Sequence, residues 1–372
     1  MAGTQLLIVA LTLMSVGLSG YALWHDRPLD WRFATPDLSP PGDAPVFERV
    51  LDYTAPEGQA HSPGIVVDDA GFAVLWFEGS AEAQADVDIH AASLARQGGS
   101  WQATAPAPRV TRAALSDAFE PRQLVVTLGN TIQNEAAANA LYATVVSVGG
   151  WAMASVADLR MGPDGPVRAR KLNLSPFLNR SFLVKSPMVA YADGSHALPA
   201  YFEMGAAHGA LVRLGADGRV RDMRRIAGPG KPIQPMIVPL DAERALAFLR
   251  DFDASGRLWL SRTTDGGQSW SAAQMTDIPN PSAPVAALAM SDGRILMAMN
   301  DDAQGADRLR LAVSADEGAS WRVIRTLEDD GGDARYPMLR RLTGGEIALA
   351  YSHGTKRGIR AHVFNEAWVA AQ

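Results

Sequence analysis

The sequence predicts an all-β protein folded as a six-bladed β-propeller, with an apolar helix at its N-terminus. This prediction depends on two copies of one octet, on three weaker copies at a similar period, and on a long apolar stretch near the start. The chain has 372 residues, of which 34 are Gly, 23 are Pro and 47% are hydrophobic, as suits a core crossed by many turns. We predict a targeting segment at 1–24, a linker at 25–45 and one propeller at 46–372.

Two octets in the last third of the chain share the pattern Ser/Thr-x-Asp-x-Gly-x-Ser-Trp. They occupy residues 263–270 and 314–321, and their Trp residues are 51 positions apart. The Asp can accept hydrogen bonds from its own turn, and the Gly permits a bend that a side chain would resist. The Trp is suited to fill the gap between neighbouring sheets. A hairpin that recurs about every fifty residues is typical of four-stranded propeller blades.

Three degenerate copies of the octet extend the count. Residues 95–101 keep the Gly and the Trp, whereas residues 161–167 and 214–220 keep Asp-Gly but end in Val. Asp-Gly is also a common hairpin turn, which explains each weak copy alone but not their spacing. Five equivalent hairpins, and a sixth blade closed by the two chain ends, predict six blades. The equivalent positions are 101, 167, 220, 270 and 321, with steps of 66, 53, 50 and 51.

Composition excludes several classes of function. The net charge of −6 and the lack of a basic block argue against a nucleic-acid partner. The chain has no Cys, which excludes disulfides, thiolate metal sites and Cys nucleophiles. No motif has zinc-ligand spacing or phosphate-cradle form, so we predict no metal and no cofactor. Short β-rich runs follow one another instead, at 72–77, 123–128, 141–148, 245–249, 258–261, 294–299, 309–313 and 346–351.

The N-terminal segment is predicted to target the chain rather than to join the fold. Residues 6–24 are apolar or small throughout, and 19 residues suffice for one membrane crossing. The same stretch fits the apolar region of a signal peptide cut after Ala22. Both interpretations stay open, beside a third in which an apolar arm is buried in the protein. Residues 25–45, rich in Pro and Asp, predict a linker to the propeller.

The octets resemble the Asp-box, or BNR repeat, of the sialidase superfamily, and residues 60–365 resemble its propeller. The resemblance implies an exported, exo-acting glycoside hydrolase of the exo-α-sialidase class that acts on a glycan with an acidic terminal sugar. Such a protein works in the periplasm or cell envelope, anchored or secreted. Sialidases hold the substrate carboxylate with three Arg residues, whose guanidinium forks match its geometry. They use Tyr as nucleophile, beside a Glu partner, and Asp as acid/base.

Several positions match the site of the superfamily. Tyr336 opens the predicted last blade where the nucleophile is expected. Arg250, which closes an apolar strand, is similar to the second Arg of the carboxylate clamp. Arg308, just before the last octet, is similar to the third Arg, and Arg310 is its competitor. Glu346 resembles the acidic residue that holds the first Arg. The resemblance thus implies that these side chains converge at the hub of the wheel.

The acid/base residue is expected in the loop after residues 76–80, with Asp86 as first candidate and Asp88 as second. Two positions depart from the superfamily pattern. His61 stands where the first Arg is expected, and His cannot form the same bidentate clamp. Gln234 stands where the Glu partner of the Tyr is expected, and Gln cannot accept a proton. Glu203, in the neighbouring blade, is the predicted substitute.

The chain resembles more closely a divergent bacterial branch, the predicted neuraminidases, in which phrases like those at 233–235, 249–251, 279–281, 299–300 and 336–337 recur. The changes at His61 and Gln234 leave two alternatives to a Tyr-based hydrolase. One is a glycan- or envelope-binding propeller without turnover, and the other is a glycosidase or lyase of different mechanism, in which His61 acts as a base or a hydrogen-bond donor. Polar residues near strand ends could reach sugar hydroxyls or carboxylates, although Asn at such positions usually serves a turn. These residues are Asn179, Lys185, Asn280 and Asn300.

Overall fold

Short apolar runs separated by turn residues form six antiparallel sheets that surround one axis. The first strands of neighbouring sheets contact each other around that axis, so the predicted six-bladed propeller is confirmed. The computed structural model describes the chain over the ranges 2–25, 28–35, 44–175, 179–329 and 332–372. Three short helical elements join the strands: α2 (Arg112–Ala118), a 3₁₀ turn (Trp151–Met153) and α3 (Glu366–Ala370). The long N-terminal helix is α1 (Ala2–His25).

The strands are numbered along the chain, and the first of them, β1 (Phe47–Thr54), belongs to the last blade. Blade 1 contains β2 (Gln59–Val67), β3 (Gly71–Gly79), β4 (Asp88–Gln97), β5 (Ser100–Ala103) and β6 (Ala107–Val110). Blade 2 contains β7 (Thr127–Gln133), β8 (Ala140–Val146), β9 (Ser155–Gly162) and β10 (Gly165–Lys171). Blade 3 contains β11 (Phe182–Val184), β12 (Val189–Ala190), β13 (His196–Phe202), β14 (His208–Leu214) and β15 (Val220–Ile226).

The last three blades repeat this arrangement. Blade 4 contains β16 (Pro232–Pro239), β17 (Ala245–Asp251), β18 (Arg257–Thr263) and β19 (Gln274–Pro279). Blade 5 contains β20 (Ala286–Ala289), β21 (Ile295–Met299), β22 (Arg308–Ser314) and β23 (Arg322–Asp329). Blade 6 contains β24 (Arg335–Arg341), β25 (Ile347–His353), β26 (Gly358–Phe364) and then β1. The pairing of β1 with β26 closes the ring with the two ends of the chain, as predicted.

The five predicted hairpins are equivalent in the fold. Each lies between the third and fourth strands of its blade. One predicted β-rich run, at 123–128, differs from the structure, where the strand begins only at Thr127. In the first octet, Asp265 accepts hydrogen bonds from Thr263 Oγ1 at 2.8 Å and from the Ser269 N–H at 2.9 Å. The octet at 314–321 makes the same contacts at closely similar distances. These bonds to its carboxylate lower the pKa of Asp316 to about 2.

The Trp residues of the octets pack between blades, as expected. Trp321 of blade 5 meets Phe248 of blade 4 edge to face, with ring centroids 5.8 Å apart. Trp270 of blade 4 joins a buried cluster that includes Tyr191 of blade 3. Both Trp side chains are half-buried rather than fully enclosed. Each octet therefore ties its own blade to the preceding one.

The N-terminal region differs in part from its prediction. Residues 3–24 form a helix long and apolar enough to cross a membrane, with an exposed surface. Part of the predicted linker, residues 28–35, packs against blades 3 and 4, and its Phe33 is 1% exposed. Aromatic side chains explain the difference, because burying them stabilises contact with the propeller. The linker residues 26–27 and 36–43 lie outside the described residues.

Gly266, in the first octet, offers a test of this packing. Its φ is +72°, and a Cβ there would lie 1.4 Å from the Trp31 carbonyl oxygen. Gly293 has a similar φ of +83° but nothing within 4 Å of a Cβ. We expect Gly266→Ala to lower the free energy of unfolding by about 1–3 kcal/mol more than Gly293→Ala, because only the former adds a steric clash. Urea unfolding of the two variants measures this difference. Equal losses would contradict the packing described.

Candidate active site

The inner strands of three blades bend at the same point. Pairing shifts occur after His61 in β2, after Ile233 in β16 and after Arg335 in β24. The residue that follows each shift has a positive φ and is itself followed by Pro. These residues are Ser62 (φ 58°), Gln234 (φ 54°) and Tyr336 (φ 56°).

Such bends redirect side chains toward the axis. A β-bulge leaves one residue unpaired and re-aims it, and Pro removes the ladder N–H that would otherwise be left without a partner. A positive φ is rare for a residue as bulky as Tyr, so Tyr336 is held in a strained backbone conformation. Strain of this kind is concentrated at functional sites. The bulges thus mark one end of the axis as the candidate site.

A cavity of about 420 Å³ opens at that end of the axis, a size suited to a small ligand. Five of the six blades contribute to its wall, which combines aromatic and charged side chains. The lining residues are Phe77, Glu82, Asn130, Thr144, Trp151, Ala152, Leu183, Tyr201, Glu203, Arg250, Phe252 and Tyr336. Three of the predicted site residues, Glu203, Arg250 and Tyr336, are therefore brought together.

The pKa of Glu203 depends on the other charged side chains that line the cavity. Burial raises the pKa of Glu203, the charge of Arg250 opposes that rise, and the charge of Glu82 adds to it. Arg250 donates from Nη1 to the Ser282 carbonyl oxygen at 2.9 Å. Its Nε is buried and has no hydrogen-bond partner among the described residues. A cationic donor without a partner is suited to bind an anionic group of a ligand.

Gln234 is 2% exposed and is not among the residues that line the cavity. Its amide donates to the Tyr201 hydroxyl at 2.9 Å, while Oε1 has no partner in the described part of the chain. Burial raises the pKa of Tyr201 well above its usual value, and the charge of Glu203 raises it further. Gln234 thus contacts Tyr201, and Glu203 and Glu82 are the carboxylates that share the cavity with Tyr336.

His61 is buried against the proposed nucleophile. Its ring meets Tyr336 edge to face, with centroids 4.6 Å apart, and meets Phe77 in the same way. Burial keeps the pKa of His61 well below its usual value, and the positive charges of Lys356 and Arg335 lower it further. The neutral ring therefore supports Tyr336, and neither nitrogen has a partner among the described residues.

Lys185 reaches across the axis from blade 3. Its Nζ donates to the Pro337 carbonyl oxygen at 2.5 Å and to the Val285 carbonyl oxygen at 3.2 Å. The side chain is 3% exposed, and burial, with the nearby charge of Arg250, lowers its pKa to about 7. Lys185 thus fixes the peptide next to Tyr336 and is not among the residues that line the cavity.

The loop predicted to carry the acid/base does reach the cavity, but through a different residue. Asp86 accepts hydrogen bonds from the N–H and the hydroxyl of Ser80, at 3.0 Å each, and does not line the cavity. Asp88 accepts from the Arg112 N–H at 2.8 Å. Glu82 lines the cavity instead and forms an ion pair with Lys356 at 2.5 Å. No pattern in the sequence distinguishes Glu82 from Asp86 as the acid of this loop.

Two other charged residues predicted for the site, Arg308 and Glu346, do not line the cavity. Arg308 pairs with Asp301 at 3.1 Å, and its competitor Arg310 pairs with the same carboxylate. Glu346 precedes β25, whose start pairs with the far end of β24, so it lies at the opposite end of the blade from Tyr336. It forms an ion pair there with Arg96 at 2.6 Å. The expectation that Glu346 would serve the site thus conflicts with the strand direction.

The three Asn residues predicted for the site form hydrogen bonds with backbone groups and do not line the cavity. Asn179 donates to the Leu172 carbonyl oxygen at 2.6 Å. Asn280 is fully buried and exchanges hydrogen bonds with the backbone of Ala283. Asn300 is also fully buried and donates to three carbonyl oxygens. All three serve turn chemistry, the alternative that holds for most Asn residues at strand ends.

Comparison with known proteins supports the resemblance. Residues 71–349 match the family described as BNR repeat-like domain. A sialidase of Micromonospora viridifaciens is 30% identical over 142 residues, which are 36% of this chain and 21% of that protein. The chain therefore spans about a fifth of that relative's length.

Solved structures share the fold. A Hadza microbial sialidase matches with a TM-score of 0.62 at 13% identity, over 82% of this chain and 65% of that one. A Trypanosoma rangeli sialidase, in complex with the inhibitor DANA, has a TM-score of 0.59 at 11% identity, over 84% of this chain and 55% of that one. A Dyadobacter fermentans protein of unknown function has a TM-score of 0.63 at 13% identity, over 85% of this chain and 98% of that one.

Proposed function

The chain belongs to the family of BNR repeat-like domains, and from this premise we propose that it is an exported, exo-acting glycoside hydrolase of sialidase type. Its substrate is a glycan with an acidic terminal sugar, either a sialic-acid-like or a uronic sugar. The observation that carries the proposal is the strained Tyr336 in one cavity with Glu203 and Arg250. The apolar helix at residues 3–24 supports export, as a signal or an anchor.

Tyr336 is the proposed nucleophile. Its phenol oxygen forms a bond to the anomeric carbon while the bond from that carbon to the leaving oxygen breaks, and its proton passes to the Glu203 carboxylate. Water then attacks the anomeric carbon while the bond from that carbon to the Tyr336 oxygen breaks. The acid/base carboxylate takes a proton from the water, Glu203 returns a proton to the Tyr336 oxygen, and the sugar leaves with retained configuration. A Tyr suits an anionic sugar, because it begins neutral and does not repel the substrate carboxylate as a second carboxylate would.

The leaving oxygen must receive a proton from an acid in the loop after β3. Asp86 was the residue expected for this role, but Glu82 is the carboxyl group of that loop that lines the cavity. We therefore assign the acid/base role to Glu82. Its ion pair with Lys356 must open before it can donate, so substrate entry is expected to displace that lysine.

The substrate carboxylate is assigned to Arg250. Two of the three clamp positions are changed, since His61 is neutral and buried and Arg308 is paired with Asp301. Arg250 keeps a buried Nε without a partner among the described residues, and this donor is suited to one carboxylate oxygen. A clamp reduced to a single Arg implies weaker ground-state binding than three Arg residues would provide.

The same changes favour the second candidate, a propeller that binds glycan without turnover. Its support is Gln234, which contacts Tyr201 rather than serving as a base for Tyr336. The full chain, solubilised in detergent, would be assayed on aryl glycosides of a sialic acid, a hexuronic acid and a neutral hexose. Hydrolysis confined to acidic glycosides supports the hydrolase. Binding of glycan with no hydrolysis of any substrate supports the second candidate.

Replacing Arg250 tests the carboxylate contact. We expect Arg250→Met to raise KM for the acidic glycoside by about 10- to 100-fold, because charged hydrogen bonds contribute about 1.5–3 kcal/mol. The matched control is Arg257→Met, at an exposed Arg of the next strand in the same blade. Steady-state kinetics on acidic and neutral glycosides measures both effects. A KM that rises equally for both sugars would remove Arg250 from this role.

A further inference from the structure

Residues 28–35, which we call the strap, are bound to the end of the propeller opposite to the cavity. The Phe33 N–H donates to the Ala242 carbonyl oxygen at 2.8 Å, and the Ala34 N–H donates to the Ala190 carbonyl oxygen at 2.9 Å. Ala242 lies in the turn between β16 and β17, whereas Arg250 lies near the other end of β17. The strap and the cavity thus occupy opposite ends of the same strands.

A buried cation fixes the strap. Arg213 is fully buried and donates from Nη1 to the Asp30 carbonyl oxygen at 2.9 Å. Its guanidinium carbon lies 4.8 Å from the centre of the Trp31 ring and 3.4 Å from that of Tyr191. Asp193 balances the charge at 3.7 Å. A desolvated Arg stacked on two aromatic rings contributes more than a surface contact does, so the strap is an integral part of the fold.

The strap also lies directly on the first octet. The Trp31 carbonyl oxygen leaves no room for a Cβ on Gly266, in the turn between β18 and β19. That turn faces the same end of the propeller as Ala242, because the third strand of a blade runs parallel to the first. The backbone, aromatic and charged contacts of the strap therefore all place it at the end of the propeller opposite to the cavity.

The strap begins close to the apolar helix. Helix α1 ends at His25 and the strap starts at residue 28, so three Cα steps separate them by at most about 11 Å. A helix that crosses a membrane must therefore hold the strap end of the propeller near the bilayer surface. We propose that the strap fixes the orientation of the propeller on a lipid surface, with the octet turns facing the bilayer and the cavity opening away from it.

The proposed orientation places the two ends of the propeller at measurably different heights above the membrane. The seven residues of β17 span about 20 Å, so with the axis upright the two ends of the propeller differ in height above the membrane by roughly that distance. A flexible tether would instead sample many orientations. The inference does not depend on the proposed hydrolase activity, because it concerns only the strap, the helix and the direction of the axis.

The chain has no Cys, so single-cysteine variants report on chosen positions. Gln268→Cys labels the strap end, and Ala206→Cys labels the cavity end, both at exposed positions. The full chain would be reconstituted into phosphatidylcholine–phosphatidylglycerol vesicles that contain lipids with nitroxide headgroups. We expect several-fold stronger quenching of a fluorophore at residue 268 than of one at residue 206. Equal quenching, stronger quenching at residue 206, or protein that does not stay with the vesicles would overturn the proposal.

A matched insertion separates the strap from the helix. A Gly/Ser linker of about 20 residues after residue 27 behaves as a flexible coil and leaves residues 28–35 intact. With this linker we expect the quenching at residue 268 to fall to the level at residue 206, while thermal unfolding of the propeller is unchanged. A large difference that persists with the linker would show that another surface sets the orientation, contrary to the proposal.

Discussion

Tyr336→Phe is expected to lower kcat/KM for the acidic aryl glycoside by about 10³-fold or more, because the phenol oxygen is the atom that bonds to the sugar. Phe keeps the ring and its contact with His61. Its backbone meets the same φ of 56° that Tyr meets, so the fold and its stability are expected to be conserved. Initial-rate kinetics and a thermal melt of the purified variant measure the two properties.

The control for this prediction is Tyr53→Phe, which removes a half-buried hydroxyl that donates to Glu78 at 2.9 Å, outside the cavity lining. We expect its activity to stay close to that of the unchanged protein. A Tyr336→Phe variant with undiminished turnover would refute the nucleophile assignment. Loss of hydrolysis with unchanged binding of the acidic sugar is the specific signature of a missing nucleophile.

Glu203→Gln is expected to lower kcat by about 10²- to 10⁴-fold, the range typical of a general base. Burial raises the pKa of Glu203 above its ordinary value of 4.5, so the carboxylate forms only at higher pH than for an exposed Glu. Because the base must be ionised, kcat of the unchanged protein should rise with pH through that raised pKa. The Glu203→Gln variant should show no such increase of kcat with pH.

The pH profile separates Glu203 from the acid. Glu82→Gln should slow glycosides with poor leaving groups most, since an activated aryl group departs with little protonation. If Glu203→Gln kept the rise in kcat with pH, the proton acceptor would be a different group. Glu203→Asp is expected to restore part of the rate and the pH dependence, because it keeps the carboxylate but shortens the side chain.

The repeat could be predicted because its chemistry is local. Each octet carries within eight residues the Asp that holds its turn, the Gly that permits it and the Trp that packs outside it. Asp265 and Asp316 make the predicted contacts with their own turns. Even the weak copies ending in Val167 and Val220 occupy equivalent hairpins. A signal contained in one turn does not depend on the rest of the chain.

The cavity was harder to predict because its side chains depend on distant partners. Asp86 was expected in the site, but Ser80 binds its carboxylate, and Arg308 is similarly held by Asp301. The sequence offers no pattern that reveals such pairs. Glu346 is different, because alternating strand directions place the start of a second strand opposite to the start of the first. The position of Glu346 therefore follows from the order of the strands alone.

The sequence contains one further signal for the position of the cavity. Ser62, Gln234 and Tyr336 each precede a Pro at the start of an inner strand, and each has a positive φ. A polar residue followed by Pro at the same position of several blades predicts a bulge directed at the axis. These three dipeptides therefore identify the bulges of β2, β16 and β24 from the sequence alone.

Ring closure has a consequence for biosynthesis. Strand β1 leaves the ribosome about 300 residues before its partner β26, which begins at Gly358. Until β26 has been made, β1 therefore has no ladder partner and the sixth blade cannot close. Non-local pairing of this kind slows folding and leaves strand edges open to association. Premature termination before residue 358 should thus yield an open, aggregation-prone ring rather than a five-bladed protein.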